Sequence, residues 1–95
     1  MEIRFSIWIT LKTPAGEKSF GSFELGQDKQ LSTEIFGLLS GNAEQGESRY
    51  ICLQLREEIA GLPVTIGLIH CRLNELKENT AIITREIFKA HHLEQ

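Results

Sequence analysis

Ninety-five residues are enough for one hydrophobic core and too few for two, and a composition 41% hydrophobic and 24% charged excludes a disordered chain. A formal net charge of −3 argues against general affinity for nucleic acid or anionic membrane. Two cysteines, Cys52 and Cys71, are too few for a disulfide scaffold.

The chain opens on strict alternation. Ile3, Phe5, Ile7, Ile9 and Leu11 are apolar; Arg4, Ser6, Trp8, Thr10 and Lys12 lie between them, apart from Trp8 all polar. Period two over ten residues predicts a strand with one buried face. It lacks the continuous apolar run of a signal peptide. Thr13-Pro14-Ala15-Gly16 predicts a hairpin turn, because proline presets φ and glycine accepts positive φ. The return strand covers about Glu17 to Leu25. Phe20 and Phe23 break its alternation, so a bulge near Gly21 is expected to turn both rings inward.

A short helix follows. Asp28 is the expected N-cap. Leu31, Ile35, Leu38 and Leu39 form one apolar stripe, and Gly41 is the expected C-terminal glycine. Gly37 inside this helix is expected to mark a close approach to the sheet. The segment 42–48 is polar and reads as a loop.

Tyr50 to Arg56 alternates again and predicts a third strand. Ala60-Gly61-Leu62-Pro63 supplies the next turn, placed at Gly61-Leu62. Val64 to Cys71 is the fourth strand, with Val64, Ile66 and Leu68 on one face and Ile69 and Cys71 on the other. A strand apolar on both faces is expected to be central or covered. This turn sets Cys52 opposite Cys71, although a slip of one residue would exchange the two faces. Asn74 reads as the N-cap of a final helix, with Leu76, Thr80, Ile83, Ile87 and Ala90 as its buried stripe, widened by Ile82 and Phe88. The whole, residues 1–95, is expected to be a single α+β domain: a two-layer sandwich in ββαββα order, with a four-stranded, mainly antiparallel sheet and two helices on one face.

Enzyme and ligand motifs are sparse. His70 and Cys71 are neighbours on a strand and point to opposite faces; His91 and His92 are about 100° apart on a helix. Neither pair has the spacing of a zinc site. Cys52 and Cys71 read as two small buried hydrophobes rather than a redox pair. The glycines mark turns instead of a phosphate loop. No catalytic residue, metal or cofactor is expected.

The face opposite the helices is the expected working surface. It carries Arg4, Trp8 and Lys12 from the first strand and Tyr50, Cys52 and Arg56 from the third. An outward tryptophan among basic and aromatic neighbours points to protein–protein contact, including a homodimer, with the fourth strand extending the patch. The alternative is single-stranded nucleic acid stacking on Trp8 and Tyr50, against which the net negative charge counts. A loop lying over Trp8 is the third possibility, and a thiol enzyme is more remote. No membrane contact or small-molecule substrate is indicated, and a reduced, cytoplasmic setting is expected.

Overall fold

The computed structural model describes residues 2–44, 46 and 50–90. The elements are β1 (Ile3–Thr13), β2 (Gly16–Gly26), α1 (Lys29–Gly37), β3 (Ile51–Ile59), β4 (Leu62–Cys71) and α2 (Leu73–Ala90). All neighbouring strands are antiparallel, and the sheet order is β2-β1-β3-β4. This is the expected two-layer α+β sandwich in ββαββα order.

The two central strands define the core. Ile7 pairs with Leu55 and Ile9 with Leu53, so the apolar halves of β1 and β3 share one face. Phe5, Ile7, Leu53, Leu55 and Cys71 are buried there with Ile35 of α1 and Ile83 of α2. The helices cross over their strands. α1 follows β2, yet its Phe36 ring reaches β4, where a Cβ on Gly67 would stand 2.9 Å away. α2 follows β4, yet Leu73 and Leu76 border a groove with Ile9, Leu11, Phe20 and Ile51.

Local signals at the helix starts are partly as expected. Asp28 caps α1, its carboxylate accepting from the Leu31 N–H at 3.0 Å. The helix ends at Gly37, earlier than the sequence suggests; Leu38 is exposed, and a Cβ on Gly37 would meet nothing within 4 Å. The close approach belongs instead to Gly41, where a Cβ would lie 2.8 Å from the His70 carbonyl oxygen. α2 starts one residue before Asn74. Arg72 occupies the N-cap position, its carbonyl accepting from Leu76, while Glu75 reaches back to the Arg72 N–H at 2.8 Å. That return contact is half of a capping box and needs no capping side chain at Arg72.

The bulge in β2 falls at Phe20, beside Gly21, and a second falls at Leu25. Phe23 packs on the core, but Phe20 stays largely exposed in the groove above β1. A bulge in this stretch brings two aromatics three apart to one side, and the bulged residue itself is left without a strand partner.

The second hairpin differs most from expectation. Its turn is Ala60-Gly61, with φ of +52° and +86°, and Ile59 faces Leu62. Positive φ at both central residues is the type I′ geometry that suits the sheet's twist. A branched Leu62 tolerates it worse than alanine does. A bulge at Ile66 then shifts the register again. Cys52 therefore faces His70, and Cys71 faces Ile51. The expected Cys52–Cys71 apposition is overturned. Ile69 and Cys71 lie on the core side, and Leu68 and His70 on the other. Nor is β4 central: it is an edge strand.

One buried polar residue ties the layers together. Asn79 of α2 is fully buried. Its side-chain carbonyl accepts from the Ser40 N–H and its amide donates to the Ser40 C=O, both at 2.8 Å. The amide thus acts as a strand partner for the α1–β3 connection. Asn42, two residues on, makes the corresponding exchange with His70 on β4.

Asn79→Leu keeps the branched shape of the side chain and leaves two backbone groups of Ser40 without the partners Asn79 gives them. It is expected to lower unfolding stability by about 2 kcal/mol, read from urea denaturation. Ala60→Asn relieves a left-handed alanine and is expected to raise stability by about 0.5–1 kcal/mol in the same assay.

Candidate functional site

Alternation on β1 and β3 sends Arg4, Ser6, Trp8, Thr10 and Lys12, with Cys52, Gln54, Arg56 and Glu58, to the face away from the helices. Pairing sets Ser6 against Arg56, Trp8 against Gln54, and Thr10 against Cys52. On the outer side of β3 the same face gains His70 and Leu68 from β4.

Trp8 is the centre of this surface. The Arg56 guanidinium lies over the indole, 4.6 Å from the ring centroid. Arg56 is held there by two hydrogen bonds to the Gln54 side-chain oxygen, at 3.1 and 2.8 Å. The indole N–H donates to Ser6 Oγ at 2.9 Å. The ring is half-buried, and its orientation is fixed from both sides. A cation stacked in this way contributes about 0.5–1 kcal/mol at a partly exposed site. A nucleobase stacking on Trp8 from that side has to displace Arg56 first.

The six residues expected to form the working surface are only partly brought together. Trp8 and Arg56 are in contact. Arg4 lies toward one end of the sheet and pairs with Glu2, at 3.2 Å between exposed groups. Such a pair contributes little. Lys12, Tyr50 and Cys52 gather at the other end. There, with Thr13, Gly16, Glu17, Leu68 and His70, they line a hollow of about 340 Å³.

Cys52 beside His70 is the pairing that reading the sequence missed. Asn42 takes both backbone groups of His70, so Cys52 and His70 form the closer, non-hydrogen-bonded kind of antiparallel pair. The sequence signal was present: two residues of the right chemistry on paired strands. It depended on a register one residue away from the one the turn suggested. The apposition does not activate the thiol. Cys52 is buried, and loss of solvent is the main reason its pKa lies above the ordinary value of 9.0; nearby Thr10 and Gln54 side chains oppose this only in part. A nucleophilic cysteine needs the opposite shift. His70 Nδ1 is buried without a hydrogen-bond partner among the described residues. No three His, Cys, Asp or Glu side chains converge as metal ligands among the described residues, and no described helix is long and apolar enough to cross a membrane. His91, His92 and residues 45, 47 and 48 of the polar loop lie outside the described residues.

The outer strand gives the face one apolar margin residue, Leu68, which is 40% exposed. Leu62 and Val64, also exposed, precede the bulge at Ile66 and pair with Ile59 and Glu57 on the other side of the sheet.

No family model matches the chain, and neither a curated protein nor a solved structure is significantly similar to it.

The buried thiol gives a pH signature. Above pH 9.0 the unfolded chain releases the Cys52 proton while the folded chain retains it, so stability falls as pH rises past that point. The difference in stability between wild type and Cys52→Ala is expected to be flat below pH 9 and to shrink above it. A difference that stays constant into alkaline solution contradicts the assignment. Native Cys52 is also expected to alkylate slowly at neutral pH.

Proposed function

We propose that this chain is a non-enzymatic protein–protein interaction module that self-associates as a homodimer through its sheet surface. The contact comprises the open face together with the strand β4 that borders it. The observation that carries this reading is the grouping on the open face of a stacked Trp8–Arg56 pair with the exposed Leu68, which pairs with Gln54 beside them. Trp and Arg are the residues most often found at the energetic centre of protein contacts. An apolar margin of this kind is unfavourable in water and is relieved by burial against another chain.

The chemistry at the far end of the face supports a contact role over a catalytic one. Its thiol is buried, with its proton held more tightly than in water, and Nδ1 of the neighbouring His70 has no hydrogen-bond partner among the described residues. Two cysteines on opposite faces of the sheet, with no disulfide between them, suit a reducing, cytoplasmic setting.

The measurement that tests this is solution mass by light scattering after size exclusion, across a concentration series. The expected result is a reversible dimer that dominates at the highest concentrations. Leu68→Lys, at a half-exposed position, is expected to leave the circular dichroism spectrum unchanged and to weaken association at least about tenfold. A wild-type mass that stays monomeric throughout the series overturns self-association.

A further inference from the structure

α2 packs one side on the sheet and leaves another free. Leu76, Asn79, Ile83 and Ile87 face inward. Leu73, Lys77, Ala81, Thr84 and Phe88, at spacings of three and four residues, form a second stripe on the solvent side. All five are exposed, Leu73 at 74% and Phe88 at 52%.

This stripe has a hole at one end and a knob at the other. Leu73, Leu76, Lys77 and Thr80 hold the i, i+3, i+4 and i+7 positions that make a four-residue hole on a helix surface. They border an open, mostly apolar recess with Asn74 at its rim. Phe88 stands out from the last turn of the same helix. Between the two ends, Ala81 and Thr84 are small. The hydroxyls of Thr80 and Thr84 already donate to the Lys77 and Thr80 carbonyls, at 3.0 and 2.8 Å. Burying this stretch therefore leaves neither hydroxyl without a partner.

We infer that this stripe of α2 packs antiparallel against the same stripe of a second copy of the chain, with Phe88 of each copy seated in the hole of the other. The contact goes beyond the sheet-face association proposed above and does not rest on it, because α2 lies in the other layer. Knob and hole fix the register. With Phe88 at the level of Lys77 of the second copy, Thr84 comes level with Ala81 of that copy, so small residues meet where the helices are closest. The Lys77 stem forms one wall of the hole while its ammonium stays in water. The same register matches charge along the flank. Helical spacing places Glu78, Arg85 and Lys89 together beside the stripe. Glu78 then comes level with the turn between Arg85 and Lys89 of the second copy, and the two-fold axis repeats the match. Both cations touch Glu86, at 3.2 and 3.5 Å, but they share that one carboxylate and remain 61% and 65% exposed. A two-fold contact of this kind uses the same patch on both chains and closes at two. One helix face per chain makes a small contact, so the pair dissociates on dilution.

Disulfide trapping tests this in chains that also carry Leu68→Lys, which weakens the sheet-face contact. Ala81→Cys and Thr84→Cys are made as separate chains; both positions are exposed, whereas Cys52 and Cys71 are buried. Mixed in equal amounts and mildly oxidised, they are expected to form the mixed covalent dimer at least about threefold faster than either chain alone forms its own. Only the mixed pair sets position 81 level with position 84, within the span a disulfide bridges. Phe88→Glu in both chains is expected to remove that excess and leave the circular dichroism spectrum unchanged. Equal rates for mixed and single chains overturn the register, and an excess that survives Phe88→Glu overturns the knob-and-hole contact. Because the sheet-face contact is already weakened in these chains, failure of that reading leaves the trapping result as it is.

Discussion

The antiparallel pairing of β1 with β3 is the constraint from which the other parts take their positions. These two strands are distant in sequence, and aligning them fixes a long stretch of chain at an entropic cost that only burial can offset. The offset comes from one face. Phe5 and Ile7 meet Leu53 and Leu55 in a layer that both helices then cover. Once this pair is in register, each hairpin adds its outer strand, and each helix returns across the half of the sheet built by the other hairpin. Phe36 over Gly67 and Leu76 beside Ile9 and Leu11 are the two contacts that mark the crossing. Neither strand–strand–helix unit can cover its own core alone, which is why the domain folds as one.

A second constraint is polar. The connection from α1 to β3 passes over the core with backbone groups that need partners. Asn79 supplies a donor and an acceptor to Ser40 from within α2, and His70 supplies the same to Asn42 from β4. Gly41, between them, has its Cα close against the His70 carbonyl, where no side chain fits. Helix, connection and edge strand are thus held by four hydrogen bonds along one short segment. The arrangement thus ties an interior amide in α2, through the connection, to the edge strand β4.

The open face shows how a surface acquires shape without a covering layer. Thr10, Cys52 and Gln54 are buried there although no helix lies over them. Larger neighbours such as Trp8 and Arg56 flank them across the strands, and the Arg56 side chain lies flat because Gln54 holds its guanidinium. The face is therefore pre-ordered at its centre and apolar at its β4 margin. A contact surface made this way loses little side-chain entropy on binding. The Cys52–His70 hollow at its end has the composition of a reactive site with the electrostatics of a packed one.

Much of this was legible in the sequence. Period two in β1 and β3 assigned each side chain to its face, because alternation is a property of the extended backbone and needs no partner. Asp28 announced a helix because its cap bonds within three residues. Thus Arg4, Trp8, Lys12, Cys52 and Arg56 could be placed on one surface beforehand. What tertiary structure alone decided depends on non-local pairing. The turn at Ala60-Gly61 keeps the expected faces of Leu62 and Val64, but the bulge at Ile66 moves the rest of β4 by one residue, and such a step exchanges inward and outward side chains beyond it. That step separated Cys52 from Cys71, set it beside His70, and turned Ile69 inward and Leu68 outward. The place of β4 at the edge was equally hidden: an apolar strand reads as interior whether a neighbouring strand covers it or not. Asn79 looked like any polar helix residue, since its partners lie in a loop that the helix pattern does not predict. Local periodicity determines which way a side chain points along its own strand; only the folded chain determines what it points at.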